Sequence, residues 1–292
     1  SITRTLYWDQ NTRMPSGGAA WRGEQLALLA RQLHARQSSE HYAELIAEAR
    51  DEWRTRSNSG DPPEIVTGQA RNLDLLEQDL QRQQALDPDL VSALATAKSQ
   101  GYDLWQQARR TSDFALFAPA LRLMVELRQE QARQLAEPRS CWETLAQPFE
   151  PDLTLQRLQN LFAPLRRRLP ELLEQLKGSP RPSSLSWDLP ASTQQQLCDQ
   201  LLSDWGRDKG ITCVAASPHP FSITLGPRDF RITTRVVAGQ PLSCFLATAH
   251  EWGHSLYEQG LPTSAHQWFA WPLGQATSMA VHESQSLFWE NR

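Results

Sequence analysis

Several kinds of feature are scarce in this sequence, and each scarcity removes a class of protein. No run of about 18 apolar residues occurs, so a membrane span is not expected. Basic residues are not in excess: 29 Lys and Arg stand against 33 Asp and Glu, a net charge of −4. Without a cationic face, nucleic acid is not expected as a partner. Only four cysteines occur, at 141, 198, 213 and 244, with no close pairs in sequence. That spacing fits neither a disulfide framework nor a cysteine-based zinc site, and it suits a reducing cytoplasm. The opening "SITRTLYWDQ" lacks the basic-then-apolar layout of a secretion signal, so a cytoplasmic protein is expected. No segment repeats at a fixed period, which leaves a helical-repeat solenoid unsupported.

The chain does have length, with 292 residues to bury a core. Its first two thirds read as one amphipathic helix after another. Ala19 to Gln37 places Leu26, Leu29, Ala30 and Leu33 on one face. A second helix around Tyr42 to Trp53 follows the cap signal Ser38-Ser39. A third begins with Asp87 as N-cap and Pro88 at the first helical position. Further helices are expected over Asp113 to Leu135, Leu153 to Leu176 and Ser192 to Lys209. This pattern reads as the wall of a scaffold, and the 11 tryptophans as its packing. One stretch, "KGSPRPSSLSWDLP" from Lys177 to Pro190, has loop composition. The expected organisation is a single domain: a helical scaffold over 1–176, the loop over 177–190, and a distinct region over 191–292. In that last region Phe221, Ile223 and Leu225 alternate with polar residues. After the Gly226-Pro227-Arg228 turn, Phe230, Ile232 and Thr234 do the same, which predicts a β-hairpin.

Beyond the hairpin stands "ATAHEWGHSLYEQG". On a helix, His250 and His254 project from one face roughly 6 Å apart. Two imidazoles so spaced can converge on one ion at about 2.1 Å. Glu251 points to the side, where it can meet a metal-activated water as general base. With this composition, such a motif arises by chance in about one sequence in a hundred. Gly253 fits a place where another backbone comes close. A catalytic zinc takes a third protein ligand. Glu258 cannot supply it, because three ligands in line on a straight helix span about 12 Å. The next acidic residue with helical context is Glu283, with His282 and His266 as rivals. His282 also suits a place behind the ligands, and His266 lies in a loop-like stretch.

The stretches "SPHPFSI", "DFRITTR", "HEWGHSLYEQG" and "VHESQSLFWEN" stand in the order of four motifs of the M32 metallocarboxypeptidases, the carboxypeptidase Taq family, which this sequence resembles along its whole length. The resemblance implies a mainly α, cleft-containing gluzincin fold akin to neurolysin and angiotensin-converting enzyme, with the small hairpin or sheet beside the active-site helix. It implies a cytoplasmic homodimer that releases single residues from peptides with a free C-terminus. It assigns His250, His254 and Glu283 to one divalent ion, zinc with cobalt as an alternative, and Glu251 to the base. His282 is a candidate supporting partner of the ligands. His219, Phe221, Asp229, Arg231 and Thr233 would line the cleft, or equally would brace the hairpin against the active-site helix.

The chain departs from the family pattern in two ways. The His254 to Glu283 spacing is a few residues long, with Trp268 and Trp271 in the extra loop. The sequence also stops at "FWENR", where the resemblance implies further C-terminal motifs. The chain is therefore expected to be an incomplete domain and a poor peptidase by itself, with Phe288 and Trp289 exposed or covered by self-association. Alternatives to a carboxypeptidase are an endo-acting or dipeptidyl oligopeptidase of the same fold and an inactive helical scaffold. The first pair differ in whether a cation captures the substrate's terminal carboxylate. Arg231 and Arg235 are the candidates here, although the resemblance places that group in the C-terminal part.

Overall fold

Helices fill the first two thirds of the chain in the computed structural model, which describes residues 1–56, 62–135, 138–180, 188–264 and 268–292. They are α1 (Ile2–Thr12), α2 (Ala19–Gln37), α3 (Glu40–Arg56), α4 (Pro63–Gln84), α5 (Pro88–Thr111), α6 (Ala118–Leu135), α7 (Cys141–Ala146) and α8 (Leu155–Leu176). Local chemistry sets their ends. The Asp87 side chain accepts from the Asp89 amide ahead of Pro88, satisfying one of the orphan donors of α5. Ser112, in the left-handed region at φ 54°, stops the same helix. Ser140 and Glu143 form a reciprocal capping box on α7. Asp113, expected to open α6, instead caps a single 3-10 turn at Phe114–Leu116, and α6 begins after it.

The α2 face differs from its expectation. The residues of α2 that bury are Arg22, Gly23, Ala27 and His34, whereas Leu26, Leu29, Ala30 and Leu33 line an open apolar cavity of about 470 Å³ shared with α1, α5 and α6. Polar ties fasten the scaffold. Arg22 donates to the Leu6 carbonyl and to Asp9, Gln10 donates to Ser99, and Arg50 of α3 reaches Asp74 and Glu77 of α4 at 2.7 and 2.9 Å. None of the described helices is long and apolar enough to cross a membrane.

The remaining elements are α9 (Ala191–Asp204), β1 (Thr212–Ala216), β2 (Ser222–Gly226), β3 (Asp229–Thr234), α10 (Pro241–Gln259) and α11 (Met279–Glu290). Residues 181–187 of the Lys177–Pro190 stretch lie outside the described residues. Helix α9 ends five residues short of Lys209, because Gly206 turns the chain at φ 81°. The expected hairpin is present as β2 and β3, but the sheet has three strands in the order β1-β3-β2. β1 runs parallel to β3 with Val214 opposite Ile232, and β2 runs antiparallel with Ile223 opposite Arg231.

This sheet positions the candidate site. Leu202 of α9, Ile232 of β3 and Trp252 of α10 are wholly buried together, flanked by Trp205, Val214 and Leu256. Trp252 lies two residues from each histidine, so it sits on the opposite side of α10 from both. Burying Trp252 against the sheet therefore turns His250 and His254 away from it. Thr234 of β3 and Thr248 of α10 hydrogen-bond at 2.9 Å inside the same seam. The thiols of Cys198 and Cys244, far apart in sequence, also meet there at 3.5 Å.

Candidate metal centre

Helix α11 crosses α10 at Gly253. A Cβ on that glycine would lie 2.7 Å from both the Gln285 carbonyl oxygen and the Ser286 Cα, so the contact is backbone against helix and only glycine fits. This approach delivers Glu283 to the two histidines. Its Oε1 lies 3.4 Å from His250 Nε2, its Oε2 lies 3.4 Å from His254 Nε2, and the three donor atoms fall within 4.8 Å of one another. Donors about 2.1 Å from a tetrahedral zinc stand about 3.4 Å apart. The donor set and its spacing therefore fit a divalent ion of the zinc type.

The far nitrogens of the imidazoles are also held. His250 Nδ1 pairs with Glu290 Oε2 at 2.9 Å. His254 Nδ1 meets His282 Nδ1, and His282 Nε2 meets Glu258 Oε1 at 2.9 Å. One set of tautomers satisfies all of these contacts. If each ligand histidine carries its proton on Nδ1, His250 donates to Glu290, His254 donates to His282, and His282 donates through Nε2 to Glu258. Both ligand Nε2 atoms then keep a lone pair facing Glu283, as metal binding requires. Burial, helped by His282 and His250, pushes His254 down to about 4, so it stays neutral at neutral pH. Burial opposes ionisation of Glu258, but the His282 hydrogen bond, with Thr224 and Arg4 in support, outweighs it and holds the carboxyl below its usual range.

Glu251 is buried at 7 % exposure. Burial, with the Glu283 charge beside it, pushes its carboxyl up to about 8. A nearby cation would act in the opposite sense, favouring the carboxylate. The base candidate is thus poised between its two protonation states.

The motif residues of the sheet gather at a different joint. Arg231 donates to both oxygens of Asp229 at 2.7 and 2.8 Å and lies over the Trp8 ring of α1. Its guanidinium is engaged, and Arg235 donates to the Pro218 carbonyl. Thr233 is wholly buried; its hydroxyl accepts from the Phe221 amide at 2.9 Å and from Ser217 at 2.7 Å. Phe221 stands edge-on to Tyr7 and Trp8. His219 meets Trp105 of α5 edge-on, and burial beside Arg109 and Arg235 pushes its pKa down. These contacts clasp the strand region to α1 and α5.

His266 lies outside the described residues. The long loop before α11 docks on α4: a Cβ on Gly68 would be 3.0 Å from the Trp268 ring, and the Leu273 amide donates to the buried Asn72. Trp289 packs against Trp205 with ring centroids 5.0 Å apart, correcting the expectation of an uncovered ring, whereas Phe288 is exposed. Sequence reasoning missed Glu290 and the supporting part of Glu258. Both had a signal: Glu290 falls two turns after Glu283 and Glu258 one turn after His254.

Comparison with known proteins matches the chain to a metallopeptidase family. Residues 1–292 match the family model described as "Carboxypeptidase Taq (M32) metallopeptidase". Thermostable carboxypeptidase 1 of Thermus thermophilus is 34 % identical over 305 residues, covering 100 % of this chain and 58 % of that protein. Carboxypeptidase 1 of Bacillus subtilis is 27 % identical, covering 98 % of this chain and 55 % of that one. Among solved structures, the M32 carboxypeptidase of Deinococcus radiodurans R1 aligns with a TM-score of 0.80 at 32 % identity, over 99 % of this chain and 56 % of that one. The chain thus spans little more than half the length of the relatives it matches.

Proposed function

Because the chain belongs to the carboxypeptidase Taq (M32) metallopeptidase family, we propose that it carries the metal centre of a carboxypeptidase that releases single residues from peptides with a free C-terminus. The observation that supports this most is the position of Glu283, equidistant at 3.4 Å from the Nε2 atoms of both motif histidines. His250, His254 and Glu283 would hold zinc, or cobalt in its place. When bound, such an ion acidifies a water and polarises the scissile carbonyl.

The chain's own residues supply the rest. Glu290, and Glu258 through His282, fix the imidazole tautomers and ring directions. Glu251 takes the proton of the attacking water as a C–O bond forms at the carbonyl carbon. It then returns a proton to the amine as the C–N bond breaks. Asp229, Arg231, Thr233, His219 and Phe221 hold the wall of the cleft against α1 and α5. The same reading makes the enzyme a cytoplasmic homodimer. Arg231 is tied to Asp229 through two hydrogen bonds, whereas Arg235 gives one hydrogen bond to the Pro218 carbonyl and keeps donors for a substrate carboxylate.

The test supplies zinc or cobalt and compares a blocked dipeptide acid with its C-terminal amide. Release from the acid alone is expected. Equal cleavage of acid and amide would favour an endo-acting peptidase. Metal binding that depends on Glu283 without any metal-dependent release of residues would favour an inactive scaffold.

A further inference from the structure

Two guanidinium groups converge on one carbonyl oxygen in the loop between β1 and β2. Arg109, near the end of α5, and Arg235, which follows β3, each donate through Nη1 to the Pro218 oxygen at 3.3 Å. Among the described residues neither arginine has an acidic partner; beyond this bond, Arg109 lies over the Trp105 ring at 5.3 Å. Each guanidinium carries five donors, so one shared carbonyl leaves most of them unused. A single neutral acceptor also does little to offset two positive charges held this close. The chain as a whole carries a net charge of −4, so the pairing does not follow from an excess of basic residues.

His219 completes the group. Its carbonyl accepts from the Ser217 hydroxyl at 2.6 Å, and its ring meets Trp105 edge-on. Among the described residues its ring nitrogens have no hydrogen-bond partner. Burial, with the Arg109 and Arg235 charges, lowers its pKa, so the ring is neutral at neutral pH and offers one N–H. The joint also borders the metal-bearing helix. Arg235 directly follows Thr234, whose hydroxyl meets that of Thr248 on α10 at 2.9 Å. Thr248 precedes His250 by two residues, about 3 Å along the helix axis.

We propose that Arg109 and Arg235, with the His219 ring beside them, form the subsite that captures the free C-terminal carboxylate of a peptide. A carboxylate brings the two acceptor oxygens and the negative charge that this pair of forks lacks, and arginine–carboxylate bonds are both charge-assisted and directional. The shared Pro218 oxygen marks the point on which the donors already converge. A blocked C-terminus or a chain passing through brings only neutral carbonyls, so the subsite favours a free end. Arg231, by contrast, is engaged by Asp229. The capturing cations thus lie within residues 1–292, whereas the resemblance placed that group beyond them. The inference rests on the proposed function for the ligand being a peptide acid, but not for the existence of the anion site.

The test is an NMR titration of the metal-free 292-residue chain with N-acetyl-phenylalanine and with its amide, so that no ion can take the carboxylate instead. The acid is expected to bind at least about tenfold more tightly than the amide. Arg109→Gln with Arg235→Gln should reduce the acid to the level of the amide. Arg228→Gln, an equal loss of charge at the exposed β2–β3 turn, should leave the preference intact. The double variant should keep its helical circular dichroism and bind cobalt as wild type does. If it fails to fold, Arg109→Gln alone decides: Arg109 is exposed, and its loss should still weaken the acid about threefold or more and leave the amide unchanged. Equal binding of acid and amide, a preference that survives these substitutions, or an equal loss in Arg228→Gln would overturn the inference. Acid-selective binding through these arginines in a chain that releases no residues would keep the subsite and refute the proposed function. Metal-dependent release from the acid alone, unchanged by the double substitution, would do the reverse.

Discussion

Adding one methyl group at Gly253 should separate the two helices that build the metal centre. In Gly253→Ala the new Cβ would stand 2.7 Å from the Gln285 oxygen and the Ser286 Cα, where ordinary contact begins near 3.4 Å. Helix α11 must therefore retreat by roughly 0.7 Å or more, since backbone, unlike a side-chain tip, cannot swing aside. Glu283 lies only two residues before Gln285 and moves with it, so its 3.4 Å separations from both histidines widen. Metal sites tolerate ligand displacements of about 0.2 Å, so zinc affinity should fall at least tenfold, about 1.4 kcal/mol. Overpacking costs about 1–3 kcal/mol, and replacing glycine within a helix returns up to about 1 kcal/mol. The net loss of about 0–2 kcal/mol should lower the metal-free Tm by a few degrees. Competition with a chromophoric chelator gives the affinity, and thermal denaturation gives the stability. Gly17→Ala is the control, because a Cβ there meets nothing within 4 Å. If Gly253→Ala bound zinc as tightly as wild type, the close crossing would not be what positions Glu283.

Other substitutions separate the remaining parts. Glu251→Gln should keep zinc affinity within a few-fold and lower kcat at least about a hundredfold; unchanged turnover would remove Glu251 from the mechanism. Glu290→Gln and Glu258→Gln should each weaken zinc binding about 10–100-fold, by loosening His250 in the first case and His282, and so His254, in the second. Equal affinity to wild type would make those contacts incidental. The metal-free protein should lose stability as pH rises from 6.5 to 8. In that window the unfolded chain has released the Glu251 proton, whereas the folded chain, with that carboxyl at about 8, retains it. His254 offsets this only below pH 6.5, where the unfolded chain binds a proton that the folded chain, with His254 at about 4, refuses. The slope is up to about 1.4 kcal/mol per pH unit, and denaturant titrations should show it disappear in Glu251→Gln. A wild-type stability that is flat or rising across that window would contradict the burial of Glu251.

The parts of this structure that were legible in sequence are those with short-range causes. Asp87-Pro88 marked the start of α5, and the Leu153–Leu176 run marked α8, which begins two residues later at Leu155, because caps and periodicity act within a few residues. His250 and His254 were legible for the same reason, being one turn apart. β1 was not, since "TCVAA" alternates weakly and becomes a strand only by pairing with β3. The open cavity beside Leu26 and Leu29 was equally hidden, because periodicity shows a face but not what covers it. The meeting of Cys198 with Cys244, the clasp of Thr233 on Phe221 and the tie from His282 to Glu258 all depend on tertiary approach. Gly253 lies between these cases: its glycine announced a close neighbour, but only the fold showed that the neighbour is the backbone of α11 beside Glu283.

The most direct test of the account is a cobalt titration of the metal-free chain, followed by visible absorption. Intense bands of a four- or five-coordinate site, saturating at one ion per chain, are expected for wild type. Glu283→Ala should lower the affinity steeply and weaken or shift those bands, and His254→Ala should do the same, whereas His266→Ala should leave both affinity and spectrum as they were. A Glu283→Ala protein that bound cobalt at one equivalent with wild-type affinity and spectrum would contradict the account, because the third ligand would then have to lie elsewhere.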